Sequence, residues 1–438
     1  MQNANKHVWI VSALAVLLLV ACAVAPATAD SPASAGTLFS IPGKTTFVSL
    51  PDTADVTTYS TTQDYGPLNI PSALLQQASV QTRSETNPPY QLASFDNVIP
   101  VRSNTVSLPI TLYGQSYTIP LTRMTFESID DGIDTYQGTI PGIADSLVIV
   151  TVADDNLFYG SITLPNDNIE IYPVQNYNYT QITPAPLHII YSENSIPAPA
   201  TSVMISSSRS SPITEEQLGA AIEAASAQNT RALAVVGFLV VTDEEFYYQE
   251  SNWIGTVQQF LGAISYAYED APVGVALGVC EYDSTMMSVF SNDPRQVTDP
   301  LALAEEVCWD YFLAQKNADL VLYVSGVDAN GVLIAEGTTY PKRWAWAQMV
   351  DDDDATHVTG TLHARKYAAI NALGYTFGAD PAYAYVDSNV ATVMYNYYKS
   401  SSYNQLTFST SVSGRYGDAN HDNAARISAR KATVANHV

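Results

Sequence analysis

The sequence predicts a mixed α+β protein in two halves, an antiparallel β-rich domain followed by an α/β domain with a mixed, mostly parallel sheet. Three observations carry this. Short alternating apolar segments separated by turn clusters run from about residue 106 to 191. Composition then shifts at Ala232–Val241, an unbroken apolar run of the kind buried on both faces. Beyond it, strand-like runs alternate with helical periodicity, the order that builds layered α/β sheets.

Taken from the start, residues 1–29 read as a targeting segment. Lys6 and His7 precede an apolar run from Val8 to Val20. Two endings compete. Leu19-Val20-Ala21-Cys22 fits a lipoprotein box that would leave Cys22 lipidated, and Ala27-Thr28-Ala29 fits a cleavage site that would release a soluble chain. Either ending predicts export, to the cell surface or the extracellular space. No later run approaches the ~18 apolar residues of a spanning helix, so a lipid anchor is the one expected membrane contact. The formal charge of −25, from 43 Asp+Glu against 18 Lys+Arg, argues against nucleic acid or anionic lipid as partners.

Residues 30–100 are rich in Ser, Thr, Pro, Asn and Gln and read as a polar lead-in. The β domain, 101–205, is expected to hold strands at Val106–Tyr113, Ser116–Phe126, Thr135–Ile140, Leu147–Val152, Leu157–Leu164, Ile169–Val174 and Leu187–Tyr191. Residues 206–230 are a Ser-rich linker and a helix opened by a Thr214/Gln217 capping box. From 231 to 438, strands are expected at Leu233–Val241, Val273–Cys280, Ala318–Ser325, Val332–Gly337 and Trp344–Met349, a mixed sheet of about five strands. Helical periodicity runs through Trp253, Val257, Phe260, Leu261 and Ile264, from Asp299 to Gln315, and from Thr356 to Phe377, ending at Gly378. Asp422 is placed to cap a final helix.

Several residues invite chemistry. Cys280 and Cys308, in an exported chain, invite a disulfide closing a loop of about 28 residues, worth about 3 kcal/mol in the chain-entropy model; two buried thiols are the alternative. Asn178-Tyr179-Thr180 is a glycosylation sequon. The Asp351–Asp354 run invites calcium, although acids ahead of a helix are favourable without any ion. His357 and His363 fall about 240° apart around a helix, too far round to share one metal. His363, Tyr367, Asn371 and Tyr375 do share one face.

The most specific stretch is Asn371-Ala372-Leu373-Gly374-Tyr375-Thr376-Phe377-Gly378-Ala379-Asp380-Pro381. It has the frame of the zinc-protease helix H-E-x-x-H-x-x-G-x-x-H without its ligands. Together with Val240–Tyr247, Ala318–Tyr323, Gly337, Trp344–Gln348 and Thr392-Val393-Met394-Tyr395, it resembles the metzincin clan, most closely the reprolysin/adamalysin-like branch. Tyr136–Gly142, Tyr159–Ile162, Ile171–Pro173 and His188–Tyr191 resemble that branch's propeptide. The resemblance covers roughly residues 100–435 and implies a long active-site-type helix, a Met-turn at Met394 and zinc as cofactor.

The departures fall where function lives. The ligand positions read Asn371, Tyr375 and Pro381, and the general-base position reads Ala372. Zinc hydrolysis needs a held metal and a proton acceptor, so the expectation is a pseudopeptidase without zinc. Its former substrate cleft, with Gly337, His363 and Tyr367 as candidate lining, would bind a peptide or protein by adding a strand to the 334–338 edge. An active zinc metalloendopeptidase with substitute ligands and a structural cell-envelope protein are the alternatives.

Overall fold

Where apolar residues recur, and at what period, decides both halves of this molecule. The computed structural model describes residues 55–59, 90–96, 103–112, 115–126, 131–153, 157–174, 186–195, 203–207, 233–249, 252–284, 309–326, 333–337, 343–349, 362–400 and 402–436. All of them lie in one compact unit, Thr46–Val438, and the class is mixed α+β.

The first sheet contains β1 (Asp55–Tyr59), β2 (Tyr90–Asp96), β3 (Thr105–Leu112), β4 (Gln115–Arg123), β5 (Asp134–Gly138), β6 (Leu147–Ala153), β7 (Leu157–Leu164), β8 (Asp167–Pro173) and β9 (Leu187–Ser192). Its order is β1-β2-β9-β8-β7-β6-β5-β4-β3, antiparallel throughout. The strands expected from residue 106 onward are all present. β1 and β2 are additions, within the stretch expected as a polar lead-in. β2 belongs to the sheet because Leu92, Ala93 and Phe95 are buried and its backbone pairs with β9.

Both faces of the sheet are covered at β6, whereas β4 keeps one exposed face. Along β6, Leu147 and Ile149 enter one core while Val148, Val150 and Val152 enter another. The alternation is the period-two geometry of a strand, and burial on both sides is why β6 carries no polar face.

The second sheet runs β12-β11-β13-β15-β14-β10-β17. Its members are β10 (Val203–Ser207), β11 (Ala234–Thr242), β12 (Val275–Asp283), β13 (Leu320–Ser325), β14 (Leu333–Gly337), β15 (Trp344–Gln348) and β17 (Tyr397–Tyr398). β12, β11, β13 and β15 are mutually parallel, and β14 runs antiparallel to β15. β16 (Ala391–Val393) and β18 (Asn404–Phe408) form a small separate pair. The sheet exceeds the expected strands by β10 and β17, which continue it past β14. An uncovered β14 would have left a row of backbone donors and acceptors unpaired.

Five helices fall among the described residues: α1 (Glu244–Gln249), α2 (Trp253–Glu269), α3 (Trp309–Lys316), α4 (Leu362–Thr376) and α5 (Asn423–Val434). Asn252 caps α2 by accepting from the Gly255 amide at 2.9 Å, and Asp422 caps α5 by accepting from the Ala425 amide at 2.8 Å. α2 is buried along its length and joins the two sheets. Val257, Phe260, Leu261 and Ile264 share one core with Met124, Phe126, Leu147 and Ile149 of the first half and with Phe238 and Val240 of β11. At Gly262 an added Cβ would sit 2.7 Å from Ile149 Cγ2, so only glycine lets α2 approach β6 this closely. Gln259 Nε2 donates to the Ile149 carbonyl at 3.2 Å.

A chain ending at residue 231 would strip this cover from Met124, Phe126, Leu147 and Ile149. We expect such a fragment to bind a hydrophobic dye and to unfold without a cooperative transition. A sharp two-state melt would show instead that the first half folds alone.

Candidate functional site

α4 carries the zinc-protease-like frame, and its end is built as the sequence requires. Gly378 takes φ +77°, the left-handed conformation that favours glycine. The Ala379 amide bonds the Gly374 carbonyl and the Gly378 amide the Tyr375 carbonyl, both at 2.9 Å. This is the six-to-one and five-to-two pattern of a Schellman stop. Arg430 Nη1 of α5 donates to the Gly378 carbonyl at 3.0 Å. Pro381, at the third ligand position, opens a 3-10 turn capped by Asp380, whose side chain accepts from the Ala382 amide at 2.8 Å.

The polar stripe of α4 faces the segment 392–398 rather than an open groove. His363 Nδ1 lies 3.0 Å from Tyr398 OH. Tyr367 OH donates to the carbonyls of Thr392 at 2.7 Å and Tyr395 at 3.0 Å. Asn371 Nδ2 donates to the Tyr395 carbonyl at 3.4 Å, and Tyr375 OH to Asn396 Oδ1 at 3.1 Å. Successive turns of one helix thus close on a single strand-turn segment like a zipper. His363 and Tyr367, expected as cleft lining, are buried. The reason is geometric: the segment 392–398 lies against this face of α4 and takes up its polar groups.

Met394 holds φ +78° and is buried beneath α4. An added Cβ on Gly374 would sit 2.5 Å from its Sδ, so the glycine makes room for the sulfur. Gly337 does the same on the opposite flank, where its added Cβ would strike the Ala372 carbonyl, 2.8 Å from the carbonyl carbon.

The strand expected as a free substrate edge is paired. β10 lies parallel to β14 through Met204↔Leu333, Ile205↔Ala335, Ser206↔Glu336 and Ser207↔Gly337, and its other side pairs antiparallel with β17. A free edge at 334–338 is therefore corrected: the chain's own segment fills it. VMISS was hidden from sequence reading by the serine run that follows it.

The side chains at the motif positions do not fit a zinc site. Asn371 offers an amide oxygen and Tyr375 a phenol oxygen, Pro381 offers no ligand atom, and the set holds none of the His, Cys or carboxylate ligands that zinc takes. Among the described residues no group of three or more His, Cys, Asp and Glu side chains could hold a metal ion. Asn371 Oδ1 is buried without a hydrogen-bond partner.

Sequence reading missed what holds α4 in place. Lys366 and Glu170 form a wholly buried ion pair, Nζ to Oε2 2.9 Å, both side chains 0% exposed. The His363 amide, in the first turn of α4, donates to Glu193 Oε1 at 2.9 Å. A carboxylate there also meets the positive end of the helix. Both acids come from the first half. One signal was available: Glu170 stands between Ile169 and Ile171 in a strand buried on both faces.

Burial sets the state of two histidines. Desolvation holds His188 at about 3, against an ordinary 6.5. Phe158 N–H donates to its Nε2 at 2.9 Å, so the proton rides on Nδ1, 2.9 Å from the Pro186 carbonyl. His363 is likewise held at about 3, by desolvation first and the nearby Lys366 charge second.

Cys280 Sγ donates to the Asn317 carbonyl at 3.4 Å, and desolvation raises its pKa. Its expected partner Cys308 lies outside the described residues, as do Cys22, Asn178, Asp351–Asp354 and His357.

No family model and no curated protein matches the chain. Among solved structures, the chain is similar to metalloproteinase-II from Bacteroides fragilis at 12% identity and a TM-score of 0.40, covering 69% of this chain and 86% of that one. A likeness at that score does not by itself define a fold.

Proposed function

We propose that this chain is an exported protein of metzincin-like build, closest to the reprolysin/adamalysin-like branch, that does not hydrolyse peptides and instead binds an extended peptide along β14. The zipper between α4 and 392–398 carries this reading. It commits Tyr367, Asn371 and Tyr375, two of them at former ligand positions, to hydrogen bonds within the protein. Met394 beneath Gly374 and Gly337 against Ala372 support the metzincin-like assignment, because each glycine sits where two backbones or a sulfur need its missing side chain. β10 fills that side of β14 in the folded chain, so binding there requires its displacement. An incoming peptide of similar backbone would take its place by β-augmentation, with main-chain hydrogen bonds giving affinity.

Two measurements on the purified full chain test this. Metal analysis is expected to find far less than one zinc per chain, with no chelator-sensitive peptide cleavage. One zinc per chain with cleavage lost on chelation would sink the non-catalytic reading. Replacing 203–207 with Gly and Ser is expected to let a labelled peptide carrying Val203–Ser207 bind; no binding removes the groove.

A further inference from the structure

The closed polar cluster between β8 and α4 holds a buried amine and a buried carboxamide, each hydrogen-bonded to the same buried carboxylate. We propose that Lys366 and Asn168 are joined by an intramolecular amide bond, formed within the folded chain with Glu170 as proton carrier.

Lys366 and Glu170 side chains are 0% exposed, and Asn168 is equally buried. Glu170 Oε1 accepts from Lys366 Nζ at 3.1 Å and from Asn168 Nδ2 at 2.5 Å. Nucleophile and leaving group therefore meet on one carboxylate oxygen. Ser161 Oγ donates to the same oxygen at 2.9 Å and fixes the carboxylate. Thr163 Oγ1 donates to Asn168 Oδ1 at 2.9 Å, where negative charge develops when the carbonyl is attacked. The carboxamide is thus held with its oxygen polarised and its nitrogen against the acid.

An ion pair this far from water carries a desolvation penalty. Passing one proton from Nζ to Glu170 discharges it and frees the amine lone pair, the usual route by which a desolvated lysine becomes a nucleophile. The Nζ–Cγ bond then forms and the Cγ–Nδ2 bond breaks. Of the three ammonium protons, one remains on the amide nitrogen, one departs on ammonia and one stays on the Glu170 carboxyl. No oxidant or other reactant is needed. The product is a neutral amide in place of two charges, and exclusion of water protects it from hydrolysis. Glu170 itself is the poorer acyl partner, because attack on a carboxylate would have to expel oxide.

The bond would tie the first half to α4 across residues 208–232, most of them in the 206–230 stretch that the sequence reads as linker and helix. The test is the intact mass of the full-length purified chain, allowing for N-terminal processing, and a protease site placed in that linker. Wild type is expected to be lighter by one ammonia, and its two halves should migrate together on a denaturing gel after cleavage. Lys366→Arg keeps the charge pair with Glu170 but cannot form the amide. It should show full mass and separating halves, with wild-type circular dichroism confirming the fold. A wild-type chain of full mass with separating halves overturns the proposal. So does an ammonia loss that persists in Lys366→Arg, which would place it elsewhere.

Discussion

Replacing Gly337 with alanine is expected to destabilise the fold by about 3 kcal/mol, near the top of the overpacking range. The added Cβ would fall within contact of the Ala372 carbonyl, 2.8 Å from its carbon and 3.0 Å from Ala372 Cα. Neither partner can yield alone. Ala372 sits mid-helix in a buried turn of α4, and Gly337 ends a strand paired on both sides. Gly278→Ala in β12 is the matched control, because the nearest atom to its added Cβ is 3.8 Å away, an ordinary contact. Denaturant melts of the two variants should separate clearly. Equal stability would mean that strand and helix are not in the close register described.

Acid is expected to weaken the fold well before most carboxylates titrate. His188 and His363 are held at about 3 in the folded chain and return to ordinary values on unfolding. The unfolded chain therefore binds the extra protons. Stability is fully present above about pH 6.5 and falls as pH drops toward the folded values. At about 1.4 kcal/mol per pH unit for each ring, the pair removes about 4 kcal/mol between about pH 7.5 and 5. Asp243 and Glu269, raised by burial, act in the opposite direction and soften the fall. His188→Gln and His363→Gln should each flatten the slope of unfolding free energy against pH by roughly half the histidine share. A slope unchanged in both variants would rule out these rings as its source.

Much of the architecture could be read from the chain because its strands are apolar and regularly spaced. Leu147–Ala153 announces itself by a largely hydrophobic run buried on both faces, and Ala234–Thr242 by one buried on both faces from Phe238 onward. What escaped was held together by backbone pairing rather than side-chain pattern. VMISS in β10 and the two residues of β17 carry too little periodicity to signal a strand, and each is ordered by partners far along the chain.

The candidate site was legible in outline and misread in exposure. The shared face of His363, Tyr367, Asn371 and Tyr375 follows from i+4 spacing and is present. Sequence does not say what lies opposite a helix face, so a buried zipper and an open groove look alike until the 392–398 segment is placed. Lys366 was missed for a related reason. A lysine beside Ala364, Ala368 and Ala369 reads as the solvated edge of a helix, and only Glu170, distant in sequence, turns it inward.

β10 has a bearing on the order in which this molecule can assemble. It leaves the ribosome before either neighbour, since β14 and β17 follow far downstream. Until they exist its backbone can pair only with water or with the wrong strand. Sheet closure must then wait for most of the chain, which raises the contact order and slows the final step. The export proposed above would gain from that delay: a sheet that cannot close early leaves the chain unfolded enough to be threaded out.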